Sequence, residues 1–197
     1  MTTHQSKIEQ LLKQYCPNGV EFRELGEVVK FLPKSKRQSG DGNDTGFYNF
    51  YVSSQTKIKK LNQADYNEEA LILGTGGQAS IHIASNFSTS ADTFVFKSKD
   101  ASILSNKYLY YFLKASLDFI EAGFKGGGLK HLSKFYLISL KIPIPPLQVQ
   151  EEIVRILDTF DALVNDISIG LPTELKARKK QYEYYRNKLL TFNEYAQ

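Results

Sequence analysis

The chain has 197 residues with 25 Lys+Arg against 21 Asp+Glu, a length for one domain of moderate size or one domain plus an appendage. At 42% hydrophobic and 23% charged it is too apolar to be disordered, and a single cysteine excludes both a disulfide framework and a Cys-based zinc site. The first residues lack the basic-then-apolar pattern of a signal peptide, and no apolar run approaches the ~20 residues that span a bilayer. The expectation is a soluble, cytoplasmic protein with no membrane partner. The net charge of +4 is mild but unevenly placed. Residues 30–60 hold seven bases (Lys30, Lys34, Lys36, Arg37, Lys57, Lys59, Lys60) against Asp41 and Asp44, while 61–197 hold fifteen of each sign. A localised basic surface of this kind is a candidate polyanion footprint, with a solvated loop as the alternative.

Ile8, Leu11, Leu12 and Tyr15 lie at helical spacing over Ser6–Tyr15, and Pro17-Asn18-Gly19 ends that helix. A strand-like stretch follows from Val20 to Leu25. Residues 34–46 contain no apolar residue and read as a long exposed loop, a length that in a compact domain points to function or disorder. Short β-like runs at Phe47–Val52, Leu71–Leu73, Ile81–Ile83 and Thr93–Phe96 are separated by Gly, Asn and Ser. Asn106–Ile120 returns to helical period, with Leu109, Phe112, Leu113 and Leu117 on one side. After Gly123 and Gly126-Gly127-Gly128, a further strand is expected over Leu137–Ile142. Pro143, Pro145 and Pro146 then exclude both helix and sheet and close the domain.

Beyond the prolines there is no strand signal. Ile153, Ile156, Phe160, Leu163 and Ile167 alternate at three and four residues, the a/d seam of a coiled coil. Ile169-Gly170-Leu171-Pro172 interrupts it, and Pro172 suits the first turn of a second helix that continues through Leu175, Tyr182, Tyr185, Leu189 and Phe192. Such a seam either packs on the chain's own domain or forms an arm that needs a partner; the three-proline break favours the arm.

Catalytic motifs are missing. Gly74-Thr75-Gly76-Gly77 has no Lys-Ser/Thr after it, as a phosphate-cradling loop requires, and fails the dinucleotide fingerprint. His4, His82 and His131 lie far apart, and Cys16 beside Pro17 suits a buried turn better than a nucleophile. No active site and no metal ligands are assigned.

Ile142-Pro143-Ile144-Pro145-Pro146-Leu147, followed by Gln150-Glu151-Glu152-Ile153-Val154 and Leu157-Asp158, resembles the junction between recognition domain and helical region in specificity (S) subunits of type I restriction–modification systems. Lys179-Lys180-Gln181-Tyr182-Glu183-Tyr184-Tyr185-Arg186-Asn187-Lys188-Leu189-Leu190 resembles the close of that helical region. Cys16-Pro17-Asn18-Gly19-Val20 and Leu25-Gly26-Glu27-Val28 are similar to the lead-in to the recognition domain. Thr75-Gly76-Gly77 and Gly126-Gly127-Gly128 fall where the family has glycine-containing turns. The similarity covers essentially the whole chain, yet family members usually carry two recognition domains and two helical regions, and no internal repeat is found here.

The resemblance implies an α+β fold: a recognition domain with a twisted mixed β-sheet and helices at 20–146, an N-terminal helix and turn at 1–19, and an extended coiled-coil arm at 147–197. It also implies a non-catalytic subunit that reads one half of a bipartite DNA target and docks adenine-N6 methyltransferase and restriction subunits. No cofactor is expected on this chain; S-adenosylmethionine, ATP and Mg belong to the partner subunits. The alternative is a truncated interaction module or decoy that binds the modification subunit without reading sequence. Phosphate contacts want Lys, Arg and exposed N–H groups, and base reading wants polar side chains in a groove. The candidates are Lys34, Lys36 and Arg37 on the polar loop; Tyr51, Ser53, Ser54 and Gln55 after a strand; Thr75, Gly77 and Gln78 in a turn; and Lys125, Gly127, Lys130 and His131 around the triple glycine. One recognition domain reads one half-site, so a homodimer through Ile153, Ile156, Phe160, Leu163, Ile167, Leu175, Tyr182 and Leu189 is expected to supply the second.

Overall fold

The computed structural model describes residues 7–53, 58–127, 130–166 and 172–194, with the side chains of 163–166 and 172–178 outside the description. The elements run α1 (Lys7–Tyr15), β1 (Glu21–Glu24), α2 (Leu25–Val28), β2 (Val29–Phe31), β3 (Tyr48–Tyr51), β4 (Lys59–Leu61), β5 (Ala70–Gly74), β6 (Ser80–Ala84), β7 (Phe87–Thr89) and β8 (Thr93–Ser98). Then come α3 (Asn106–Ala115), α4 (Leu117–Glu121), β9 (Phe124–Lys125), β10 (His131–Leu132), α5 (Lys134–Ile138), β11 (Lys141–Ile144), α6 (Leu147–Asp166) and α7 (Pro172–Leu190). Mixed sheets plus helices, with a long helix after the prolines, give the expected α+β class.

The strand period of two explains the layering. In the four-stranded sheet β2-β8-β5-β6, all five residues of β5 are buried. Leu71 and Leu73, with Phe96 of β8, face the main core beneath α3, where Leu109, Leu113 and Tyr108 are fully buried. Ala70 and Ile72, with Val95, face the other way against Tyr51, Tyr66 and Phe87. These last come from the three-stranded sheet β4-β3-β7 and its flanks, in which β3 pairs antiparallel with β4 and parallel with β7.

The structure corrects three readings. The single helix over 106–120 is two, because Ser116 takes φ −100°, ψ 14°, and its hydroxyl donates to the Phe112 carbonyl while its N–H is shared between Phe112 and Leu113. Of the Leu137–Ile142 strand, only 141–142 are extended; Ser133 caps a short helix over 134–138. Pro143 does not exclude sheet, for it sits in β11 opposite Phe22 of β1. A residue's C=O and N–H positions share one side of a strand. The Pro143 carbonyl accepts from the Tyr108 hydroxyl at 3.1 Å, so its missing N–H faces away from β1 and no ladder bond is lost.

The start of α6 is fixed by polar groups as well as apolar ones. Val149, Ile153 and Leu157 are fully buried in the main core. Between them Gln150, also fully buried, donates its amide to the Ile103 (2.7 Å) and Pro145 (2.8 Å) carbonyls and accepts from the Ser105 N–H at 2.9 Å. Glu152, 3% exposed, accepts from Lys7 of α1 at 2.8 Å and from Arg155 at 2.7 and 3.0 Å. The Arg155 and Lys7 bonds hold its carboxyl down to about 2 despite burial. Further along, Tyr111 of α3 donates to Asp158 (2.6 Å) and Asp161 (3.2 Å), and Lys107 and Lys114 pair with the same two carboxylates.

Gln150→Leu keeps the volume but leaves two carbonyls and one N–H without their partner, with the Pro145 carbonyl buried. The expected loss is about 2–4 kcal/mol, larger than for a surface Gln, read as a lowered urea midpoint with unchanged m.

Candidate nucleic-acid interface

A four-residue turn, Ser90–Thr93, collects the segments that the sequence scatters. The Ser90 N–H donates to the Tyr51 carbonyl (2.9 Å) and the Ala91 N–H to the Arg37 carbonyl (2.8 Å). The Asp92 carbonyl accepts from the Thr75 N–H (3.0 Å) and from the Ser53 hydroxyl. Thr93 closes the turn by donating its hydroxyl to the Ser90 carbonyl at 3.0 Å. Loop 34–37, the end of β3 and the β5–β6 turn therefore meet at one place.

The β9–β10 hairpin joins from the other side. The Leu132 N–H donates to the Thr75 carbonyl (2.9 Å), the Gly77 N–H to the Lys130 carbonyl (3.2 Å), and Gly76 is bridged to His131. Lys125 lies opposite His131 in the hairpin. Ser53 holds the centre, because its hydroxyl oxygen also accepts from the Thr75 (2.8 Å) and Gly76 (3.0 Å) N–H groups. Gly77, at φ +80°, is exposed, and a Cβ there would meet nothing within 4 Å. Its backbone is open to an approaching ligand, with a left-handed conformation that β-branched residues disfavour.

The candidates divide by what they have left to give. Lys34, Lys36, Lys125 and Lys130 are exposed and form no ion pair among the described residues. Gln78 and His131 are exposed, as is Gly127. Arg37 is committed: its guanidinium forms a fork with Asp65 at 2.6 and 2.8 Å, which also holds the Asp65 carboxyl below its ordinary range. Tyr51 and Thr75 are buried, Tyr51 with its ring 4.9 Å from that of His82 and its hydroxyl accepting from Asn49. These three build the surface from behind. Ser54 and Gln55 lie outside the described residues. Sequence reasoning passed over Ser90–Thr93 and Asp65, because backbone acceptors and a partner 28 residues away carry no local signal.

Of the helical candidates, Ile153 is fully buried inside the chain, Ile156 is half-buried, and Leu189 packs against the core. Phe160 stacks on Tyr185 at 5.6 Å and meets Tyr182 edge-on at 6.3 Å. The first part of the seam is thus covered by the chain itself. Leu163 and Leu175 have no described side chains, and Ile167 lies outside the described residues. Among the described residues no group of three His, Cys, Asp or Glu could hold a metal ion, and no helix is long and apolar enough to cross a membrane.

Ser53→Ala removes the acceptor shared by two N–H groups of the β5–β6 turn. Amide exchange at Gly76 is expected to accelerate while β5 and β8 stay protected; uniform loss of protection would instead mean global destabilisation.

The chain spans about half the length of several known relatives it matches. A type I restriction enzyme specificity subunit of Haemophilus influenzae is 32% identical over 187 residues, 88% of this chain and 48% of that protein. One from Escherichia coli is 44% identical over 88 residues, 44% of this chain and 22% of that protein. The S subunit of a type I restriction–modification system from M. genitalium shares the fold, with a TM-score of 0.67 at 18% identity over 76% of this chain and 41% of that one. The HsdS subunit from Thermoanaerobacter tengcongensis gives 0.57 at 17% identity over 93% and 49%. The sequence model of the type I restriction modification DNA specificity domain matches residues 17–177, more than three quarters of the chain, and the chain belongs to that family.

Proposed function

We propose that the chain is the DNA-reading, non-catalytic component of a type I restriction–modification enzyme, recognising one half of a bipartite target. The observation that carries this reading is the convergence on Ser90–Thr93. Four exposed lysines without ion pairs among the described residues, an open glycine backbone at Gly77 and the polar side chains of Gln78 and His131 belong to segments tied together by hydrogen bonds. Lysines and bare N–H groups suit phosphates, while amides and imidazole suit base edges. Docking of adenine methyltransferase and restriction subunits along α6 and α7 is part of the proposal. Those partners would hold S-adenosylmethionine, ATP and Mg, and the enzyme would work in the cytoplasm on double-stranded DNA. The unit so described takes 20–146 for recognition and 147–197 for the arm, with 1–19 as an N-terminal helix and turn.

The electrostatic part is testable in the assembled complex with modification subunits. Replacing Lys34 and Lys36 together by Ala is expected to weaken binding to all sequences. The slope of log K against log salt should fall by ~0.9 for each phosphate that is no longer neutralised. An unchanged slope would remove this loop from the interface.

A second half-site needs a second recognition surface, and we propose a homodimer as its source. Ile153 is already covered, so the pairing would use what the arms leave open, including exposed Tyr184 and Tyr185. Two-fold pairing makes the two half-sites inverted copies. Light scattering with modification subunits present should then report two copies of the chain per complex; a single copy would sink the dimer while leaving half-site reading intact.

A further inference from the structure

An open cleft of about 800 Å³ lies between residues 32–37 and 65–68, lined by Lys34, Lys36, Arg37, Tyr66, Asn67 and Glu68 among others. Two cross-links fasten its sides together: the Arg37–Asp65 fork, and the Tyr66 hydroxyl donating to the Pro33 carbonyl at 2.7 Å. The 65–68 side is rigid for further reasons. Tyr66 stacks on Phe87 with ring centres 5.0 Å apart, and the two residues exchange both backbone hydrogen bonds at 2.9 Å. The Asp65 N–H bonds to the Ser88 hydroxyl at 3.0 Å, and Glu68 is paired with Lys97.

Within this fastened segment one polar side chain is unused. Asn67 is exposed, lines the cleft, and makes no hydrogen bond among the described residues, although both neighbours are fixed. A short, uncharged amide on a rigid mount differs from a solvated loop residue: it can present a donor and an acceptor at once without ordering the backbone first. That pattern matches the major-groove edge of adenine, which offers an acceptor at N7 and a donor at N6. Lys34 and Lys36 on the facing segment supply the charge that neighbouring phosphates require.

We infer that Asn67 reads a base, adenine by its donor–acceptor pattern, in the half-site, and that Arg37 is a positioning residue that holds the two sides of the cleft through Asp65. This rests on the DNA-reading function proposed above and adds the residue that discriminates.

The test is selection from a randomised duplex library by the complex of this chain with modification subunits, followed by titration of the enriched sequence. Wild type is expected to enrich a motif with adenine at one position. Asn67→Ala should lose roughly 5- to 150-fold in preference at that position alone, with salt slope and melting temperature unchanged. Asn67→Asp, which can only accept, should move the preference at that position toward cytosine. Asp65→Asn, which weakens the clamp, should lower affinity without steepening the salt slope; a steeper slope would mean that a freed Arg37 binds phosphate, and would overturn its positioning role. A wild-type motif retained unchanged by both Asn67 variants overturns the assignment of Asn67 alone. A wild-type complex that enriches no sequence overturns DNA reading itself, and the assignment with it.

Discussion

The Gln150 amide is the joint on which the rest of the molecule hangs. Where α6 leaves the globular part, two chain segments, one at 103–105 and one at Pro145, bring three backbone groups together, and the prolines before the helix have no N–H to offer the carbonyls. One side chain satisfies all three, at Ile103, Ser105 and Pro145. Ser105 is at the same time the N-cap of α3, so the residue that starts one helix is held by a residue in the first turn of the other. The angle between α3 and α6 is therefore fixed by hydrogen bonds of short reach, and Tyr111, Lys107 and Lys114 extend the attachment along both helices. The spacer role proposed for α6 would need this kind of stiff root.

The same economy operates at the candidate interface. Ser90–Thr93 offers mostly backbone groups, and these gather Tyr51, Ser53, Arg37 and Thr75. Holding segments by main-chain hydrogen bonds leaves side chains such as Lys34, Lys36 and Gln78 uncommitted. A surface built in this way can change what it presents without changing how it is held, which suits the DNA-reading role proposed for it.

Much of this was legible in the chain itself. The strands at 71–73, 81–83 and 93–96 and the apolar side of α3 follow from periodicity, which reports burial directly. The family was legible at the proline junction and the helical signatures. What remained out of reach depends on partners distant in sequence. Arg37 reads as a free cation until Asp65 is placed beside it. The a/d seam announces that something covers it; only the fold identifies the cover for Ile153 as the chain's own core. Pro143 reads as a strand breaker because sequence does not say which edge of a strand faces a partner.

The pairing of β1 with β11 has a consequence for inheritance. Glu21–Glu24 leads into everything that lies between α1 and the arm, and Lys141–Ile144 leads out of it, yet the two strands run side by side about 5 Å apart. Whatever is threaded between them begins and ends at one doorway. A genetic exchange with breakpoints in these two strands would replace the proposed reading surface whole, while the paired ribbon, α1, α6 and α7 remain. Under the proposed DNA-reading role, a new specificity would then arise in one recombination event rather than by stepwise alteration of the surface.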